Sequence, residues 1–530
     1  MAIMLNNNNI LISIVIVNYK VPDCLIEALQ SLRLAEYYGR SEVIIVDNAS
    51  GDNSREIVTA QFQEVQWIQL KTNIGFGKAC NIGAEAARGQ YLLLLNPDTV
   101  VSSNTLASAV EFMEEHPKAG LMGPKILNPD GTLQLSCRRS IPTPSVAFYY
   151  FAGLSYLFPK NRRFGRYHLT YMDEDEAAQV DVISGSFMFM KRELFNTIGG
   201  FDKRFFMYGE DIDLCYRISQ AGHEVWYYPQ IKIVHQKGKS SSKRRIRSRV
   251  YFYEAMIIFS RKYRNLQDTF FPWWLMWVGI VFQATLNIGT LIMRSVAALL
   301  IDMAAINAAM FAGWAALPRF APPIPWGGGG LSGVAPLLPL AGTQVLVSLT
   351  FIFMFLYNGI YSARQYTVKN IFFSGLLSSA LVLSGIHFLT GYSAAGFGIA
   401  LAFAVPATII WREALPLVIK GLKGRIFAPE SALIVGHDDD VIRYIKKMDA
   451  RHGPRIAGVI RIGGEGGQAG GGQVEGYPVL GGVDALAEAL AGVKADVLLI
   501  AASKPWYSEI IEILVQHRNS GINIRWEAME

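Results

Sequence analysis

The feature that most limits what this chain can become is a long apolar block set between two segments of ordinary α/β character. Between Thr269 and Trp411 the sequence runs through five apolar stretches: Phe270 to Met293, Ser295 to Leu317, Leu340 to Ile360, Ile371 to Leu389 and Ala394 to Trp411. A helix needs about 20 apolar residues to cross a bilayer, and each stretch is long enough to be considered. On either side charged residues return. The 530 residues therefore divide into an α/β unit (1–265), an apolar helix (266–293), a hydrophobic region (294–412), a linker (413–428) and a second α/β unit (429–530). Hydrophobic residues make up 51% and charged residues 17%, which excludes a disordered chain and is apolar for a wholly soluble enzyme.

Charge orders the apolar block. If the last four stretches span and the first lies in the interface, Arg294, Arg364, Lys369, Arg412, Lys420, Lys423 and Arg425 fall on one side and only Arg319 on the other. That asymmetry is the positive-inside pattern. Phe270, Phe271, Trp273, Trp274 and Trp277 crowd one end of the first stretch, and Gln283, Asn287 and Thr290 interrupt it, as suits an interfacial or re-entrant helix. The expectation is a four-helix transmembrane region with both α/β units in the cytosol, in a bacterial cytoplasmic membrane. No cleavable signal is evident at the start, where Ile10 to Val17 reads as a strand.

The net charge is +6, and much of the positive excess sits between Lys232 and Arg264, just before the apolar block. With no nucleic-acid motif beside it, such a cluster suits membrane lipids better than nucleic acid. Cys24, Cys80, Cys137 and Cys215 are scattered and unpaired in spacing, which suits a reducing compartment.

The first unit alternates short β-branched runs with helical segments. Ile12 to Val17, Val43 to Val46, Trp67 to Leu70 and Tyr91 to Leu95 read as strands, with helices over Cys24 to Leu34 and Phe76 to Arg88 between them. That order implies a mostly parallel sheet whose ligands gather at the carboxyl ends of strands. Polar residues stand there: Asn18 and Tyr19 after the first strand, Asp47 to Ser50 after the second, Asn96 to Asp98 after the fourth. Any one of these groups could be a helix cap or turn. Three on one sheet edge point to a site.

The segments SIVIVNYK, IIVDNASGDNS, TNIGFGKACNIGAEAARGQYLLLLNPDT, ISGSFMFMKRELFNTIGGFDKRFFMYGEDIDLCYR and VHQKGKS, in this order, resemble the family 2 inverting glycosyltransferases of the GT-A fold. The likeness covers about residues 10–265 and is nearest to rhamnosyltransferases of bacterial surface-polysaccharide and O-antigen assembly. It implies a nucleotide-sugar site built from Asn18, Tyr19, Asp47, Asn73, Asn96 and Asp98, with Gly185, Ser186 and Glu210 on the acceptor side. It also implies Asp98 and His235 as ligands of a divalent metal, Mn²⁺ or Mg²⁺, and Asp211 as the catalytic base.

The residue types suit these roles. A carboxylate at Asp47 can accept the N3–H of a uracil or thymine ring, though it can equally cap the next helix. Divalent cations on nucleotide-sugars take one or two protein carboxylates and fill the rest of their shell with phosphate oxygens and water. The family usually writes an Asp-x-Asp motif; here Asn96 stands in the first place and leaves Asp98 as the carboxylate. Glu210, Asp211 and Asp213 open a helix running to about Gln220, where acids also complement the dipole. The aromatic run Phe148, Tyr149, Tyr150, Phe151, Tyr156 and Phe158 is expected to touch lipid or the isoprenoid end of an acceptor.

In the last unit Ser431 to Gly436, Ile456 to Arg461 and Val497 to Ala501 read as strands of a small Rossmann-like domain. Gly436 is followed by His437, Asp438, Asp439 and Asp440, whose carboxylates repel phosphate, so no dinucleotide is expected. Together with the apolar spans, this part resembles the amino-terminal half of polyprenyl-phosphate sugar-phosphate transferases without their catalytic domain.

The sequence thus predicts a metal-dependent inverting transferase. It would move a sugar, L-rhamnose above others, from a dTDP- or UDP-sugar to a polyprenyl-diphosphate-linked glycan, alone or with copies of itself or other assembly enzymes. Two alternatives stand beside it. One is a membrane scaffold or regulatory module of polysaccharide assembly. The other is a processive synthase, whose QxxRW motif is not found between Asp213 and Trp314.

Overall fold

The computed structural model describes residues 10–236, 245–263, 431–448, 454–463, 472–493, 495–502, 506–517 and 522–526, with scattered helical positions between 285 and 412. It divides into two compact units, one of residues 1–281 with 429–530 and one of residues 282–428.

Four parallel strands begin the first sheet: β1 (Ile12–Asn18), β2 (Ser41–Asp47), β3 (Gln66–Gln69) and β4 (Tyr91–Leu95). Between them lie α1 (Pro22–Arg33), α2 (Ser54–Gln61) and α3 (Phe76–Ala86). β1, β2 and β4 are buried along their whole length, which is why they read as unbroken Ile, Val and Leu runs and not as alternating ones. β5 (Thr99–Val101), α4 (Thr105–Glu115), β6 (Ala119–Leu127) and the short β7 (Arg138–Arg139) follow. Next come α5 (Pro144–Phe151), α6 (Leu154–Leu157), β8 (Ala178–Gln179), β9 (Val182–Ile183), β10 (Phe187–Lys191), α7 (Arg192–Ile198), α8 (Glu210–Gln220), β11 (Glu224–His235) and α9 (Arg245–Lys262).

The strand order is β3-β2-β1-β4-β10-β6-β11-β5, with β8 beside β11. β10 runs antiparallel to both neighbours, so the sheet is mixed, as expected for a GT-A-like domain. The reversal matters for the site. Because β10 begins where β4 ends, the turn before it, residues 184–186, meets the polar residues that follow β4. β5 pairs antiparallel with the end of β11, setting Thr99 opposite His235.

The carboxyl-terminal segment forms its own sheet from β12 (Ser431–Gly436), β13 (Arg455–Arg461), β14 (Gln473–Val474), β15 (Tyr477–Gly482), β16 (Val497–Ile500) and β17 (Asn523–Trp526). Its order is β14-β15-β13-β12-β16-β17, parallel except for β14. Helices α10 (Asp438–Lys447), α11 (Leu486–Val493) and α12 (Tyr507–His517) connect the strands. Asp438, Asp439 and Asp440 occupy the first turn of α10 and complement its dipole.

Two expectations need correction. Among the described residues no helix is long and apolar enough to cross a membrane. That finding overturns the α-helical transmembrane region in the predicted fold class, and with it the multi-pass placement in a bacterial cytoplasmic membrane. Apolar run length alone does not fix where a helix begins and ends, so a long apolar block need not hold one helix of spanning length. Asp302 lies within the second stretch, is fully buried, and takes the Arg412 guanidinium at 3.1 Å from Nε to Oδ1. Most of the five stretches, the interfacial helix at 266–293 and the linker at 413–428 lie outside the described residues.

All four cysteines are buried thiols. In the basic cluster, Lys262 Nζ binds Asp202 Oδ2 at 2.6 Å and also pairs with Asp213, while residues 237–244 lie outside the described residues. The aromatic run is mixed in character. Phe151 packs with Ala147 and Met256 in a small core, whereas Tyr156 and Phe158 are exposed.

Candidate active site

The carboxyl ends of β1 and β2 hold one polar group. Asn18 Nδ2 donates to Asp47 Oδ1 at 2.7 Å, and the Ser50 amide donates to Asp47 Oδ2 at 2.9 Å. Ser50 Oγ reaches Oδ1 at 2.5 Å and Gln69 Nε2 reaches Oδ2 at 2.6 Å. Four donors therefore fill a carboxylate that offers about four acceptor sites. A base N3–H can be accepted at Asp47 only where one of them yields, and Gln69 is the exposed one. Tyr19, next in the chain, is half-buried, with Lys20 Nζ 5.9 Å from its ring centre.

Asn73 stands in the loop before α3, accepting from the Gly75 amide at 3.1 Å and from Asn48 Nδ2 at 3.2 Å. Gly75 has φ +93, and a Cβ there would lie 2.4 Å from the Phe206 carbonyl oxygen, so the loop needs glycine. Asn48 Oδ1 in turn accepts from the Ile74 amide at 2.9 Å.

After β4, Asp98 is buried beside His235 at the end of β11. His235 Nε2 lies 3.0 Å from Asp98 Oδ1 and 3.4 Å from Asn96 Nδ2. The other ring nitrogen, Nδ1, lies 3.0 Å from Gln134 Oε1. The Gln134 oxygen can only accept, so it holds the proton on Nδ1 and leaves Nε2 facing the carboxylate. Two such groups at that distance need a proton or a cation between them. An imidazole and a carboxylate fit a divalent ion that draws its other ligands from phosphate and water. Among the described residues no set of three or more His, Cys, Asp or Glu is gathered as a metal-holding cluster, so Asp98 and His235 would hold the ion as a pair.

A second acidic group lies at the start of α8. Asp211 Oδ1 accepts from the Ile212 amide at 2.8 Å, and Oδ2 accepts from the Gly185 amide at 3.2 Å and from Arg139 Nη2. Glu210 is buried, with Oε2 lacking a hydrogen-bond partner. Burial, and then the Asp211 charge, push its carboxyl well above the usual range, so it favours the protonated form. Asp213 plays a different part. Fully buried, it accepts from Arg217 Nε at 2.8 Å and Tyr263 Oη at 2.7 Å and pairs with Lys262, locking α8 to α9.

The turn before β10 joins the two groups. The Ser186 carbonyl accepts from the Asn96 amide at 2.9 Å, while the Gly185 amide donates to Asp211. Ser184 and Ser186 hydroxyls lie 3.0 Å apart beneath it. Sequence reasoning placed Asn48 and Ser50 at the sheet edge without giving them a role, and it missed Gln134 and Arg139. Only the tandem Arg138–Arg139 in an apolar setting offered a signal. Arg138 is structural, donating to the Asp173 and Met172 carbonyls at 2.6 and 2.8 Å.

Residues 13–199 match the model of glycosyl transferase family 2. They form a family 2 glycosyltransferase domain. Residues 168–239 also match a model described as the N-terminal domain of galactosyltransferase, which takes in the Asp211 and His235 end of the glycosyltransferase domain. An N-acetylglucosaminyl-diphospho-decaprenol L-rhamnosyltransferase of Mycobacterium tuberculosis is 28% identical over 273 residues, 49% of this chain and 85% of that protein. The rhamnosyltransferase WbbL of Escherichia coli is 29% identical over 168 residues, 30% of this chain and 60% of that one. A crystal structure of GalNAc-T7 with UDP, GalNAc and Mn²⁺ superposes at a TM-score of 0.34 with 18% identity, covering 44% of this chain and 45% of that one, too low a score to carry weight.

Proposed function

We propose that the glycosyltransferase domain is an inverting, metal-dependent enzyme that moves a sugar from a pyrimidine nucleotide to a polyprenyl-diphosphate-linked glycan. L-rhamnose from a dTDP- or UDP-sugar is the favoured donor group. The names of the mycobacterial and E. coli relatives support the sugar, and that of the mycobacterial one the acceptor class.

The observation that carries the reading is the turn at 184–186, which hydrogen-bonds Asn96 on one side and Asp211 on the other. In this reading the turn links the base, Asp211, to the loop after β4 that carries Asn96 and Asp98. In the proposed reaction Asp211 takes the proton of an acceptor hydroxyl as that oxygen bonds to C1 of the donor sugar. The bond from C1 to the phosphate oxygen breaks on the opposite face, and the nucleoside diphosphate leaves. A divalent ion held by Asp98 and His235 would supply positive charge beside the diphosphate. In this reading Asn18, Tyr19, Asp47, Asn73 and Asn96 serve the donor, and Gly185, Ser186 and Glu210 the acceptor.

Purified protein supplied with labelled UDP-, dTDP- and GDP-sugars and a polyprenyl-diphosphate-linked acceptor, with and without Mn²⁺ or Mg²⁺, tests this. Transfer from a pyrimidine sugar that needs the metal supports it. Asp211→Asn should lower transfer by roughly 10²- to 10⁴-fold and leave donor binding intact. Equal loss of binding and transfer would make Asp211 structural.

A further inference from the structure

Three residues fix the metal-side pair: Asp98 before β5, His235 at the end of β11, and Gln134, which orients His235. Each has a neighbour that is buried against the carboxyl-terminal segment. Val100, two residues after Asp98, and Val234, immediately before His235, are 1% and 0% exposed. Neither belongs to the core of the glycosyltransferase domain. Both fall in one apolar cluster with Leu127 and with Ile510, Ile511, Ile513 and Leu514 of α12.

Leu127 and Gln134 flank the hairpin that supplies the third member. Leu127 bridges Leu133, and the Gln134 amide donates to the Ile126 carbonyl at 2.9 Å. At the hairpin tip Gly131 has φ +79, and a Cβ there would lie 2.7 Å from the Leu514 carbonyl oxygen. Polar contacts close the edges. Ser103 N donates to Ser508 Oγ at 3.0 Å, and Tyr507 Oη lies 3.1 Å from Gln30 Oε1 on α1.

We infer that α12 of the carboxyl-terminal segment is a positioning element of the catalytic domain: it forms the back wall of β5, β11 and the 128–132 hairpin, and so fixes Asp98, His235 and Gln134 relative to one another. The physical reason is the shape of this edge. β5 is three residues long and, among the described residues, pairs only with β11, and so short an edge strand has little independent stability. Burial of Val100 and Val234 against α12 supplies what the ladder lacks. Any event that lifts α12 would thereby loosen the pair. The inference rests on the reading of Asp98 and His235 as a metal-side pair.

The test uses the full chain and Gly131→Val, whose added carbons must push α12 from the hairpin. Gly153→Val is the control, because Gly153 has a similar φ of +76 but nothing within 4 Å, so it carries the backbone strain without the collision. Two readouts are taken: Mn²⁺ binding followed by electron paramagnetic resonance, and amide hydrogen exchange. Gly131→Val is expected to weaken Mn²⁺ binding about tenfold, the size of effect that loss of ligand orientation has elsewhere. It should also speed exchange at residues 99–101, 234–236 and 507–517, with Gly153→Val changing none of these.

Faster exchange in α12 with unchanged Mn²⁺ binding and unchanged exchange at 99–101 overturns the inference. So does unchanged exchange in α12, which would mean that the contact is absent in solution. If the unsubstituted protein binds no Mn²⁺ while Gly131→Val still loosens residues 99–101 and 234–236, the positioning role stands and the metal reading falls.

Discussion

His235 Nε2 sits 3.0 Å from Asp98 Oδ1 while the opposite ring nitrogen meets Gln134 Oε1 at the same distance. The chain Gln134–His235–Asp98 crosses three separate elements: the hairpin after β6, the end of β11 and the turn before β5. Each member is buried, with Gln134 4% and His235 7% exposed. Gln134, whose oxygen meets His235, is thus buried as deeply as the pair itself.

Gln134→Leu should keep the fold and cost metal binding. Loss of an outer partner to a ligating histidine commonly lowers metal affinity or activity by about 10- to 100-fold. A Mn²⁺ titration of the variant beside His235→Ala measures it. Equal affinity for Gln134→Leu and the parent protein would reduce Gln134 to packing.

Arg139 and Asp211 form an ion pair whose side chains are 11% and 13% exposed. Removing one partner of a buried pair strands the other charge, a loss of about 3 kcal/mol. Arg139→Met should therefore destabilise the protein by about that amount in urea unfolding. The double variant Arg139→Met with Asp211→Asn should recover much of it, since no lone charge remains. Additive losses would show that the two side chains do not sense each other.

Much of this arrangement was legible in the sequence, and the limits have physical causes. The strands β1, β2 and β4 announce themselves because full burial leaves uninterrupted apolar runs. The helix from Glu210 to Gln220 was read at its true ends because acids crowd its first turn. Asp98 and His235 could be paired only through resemblance, since 137 residues separate them and only the antiparallel return of β5 on β11 joins them. Gln134 gave no signal at all, because an isolated glutamine in a turn looks like any other surface residue. Asp213 was grouped with Glu210 and Asp211 by spacing, yet it faces Lys262, Arg217 and Tyr263. The apolar block misled by its length, which does not fix where a helix begins and ends, and hydropathy does not reveal that Asp302 has Arg412 as a partner 110 residues away.

That second ion pair makes its own prediction. Asp302 and Arg412 have side chains 0% and 4% exposed, so Arg412→Met leaves a buried carboxylate without its cation. A loss of about 3 kcal/mol is expected in the unit formed by residues 282–428. Pairing Arg412→Met with Asp302→Leu should return most of that stability, as apolar replacements of buried pairs often do. Thermal unfolding of the single and double variants decides it, and an unchanged midpoint for Arg412→Met would mean the pair is solvated.

Glu210 makes stability depend on pH in a direction opposite to most carboxylates. Burial, followed by the neighbouring Asp211 charge, raises its folded-state value, whereas in the unfolded chain it titrates near ~4.3. The folded protein therefore holds a proton that the unfolded chain has released. The contribution of Glu210 is fully present below the unfolded value and is lost as pH rises through the folded one. Glu210→Gln cannot ionise and keeps the neutral shape, so it should melt higher than the parent protein in alkaline buffer and nearly level with it in mild acid. Melting curves of both proteins from pH 5 to pH 9 read this out. A gap that stays constant across the range would mean that Glu210 is ionised in the folded state throughout, beside the charge of Asp211.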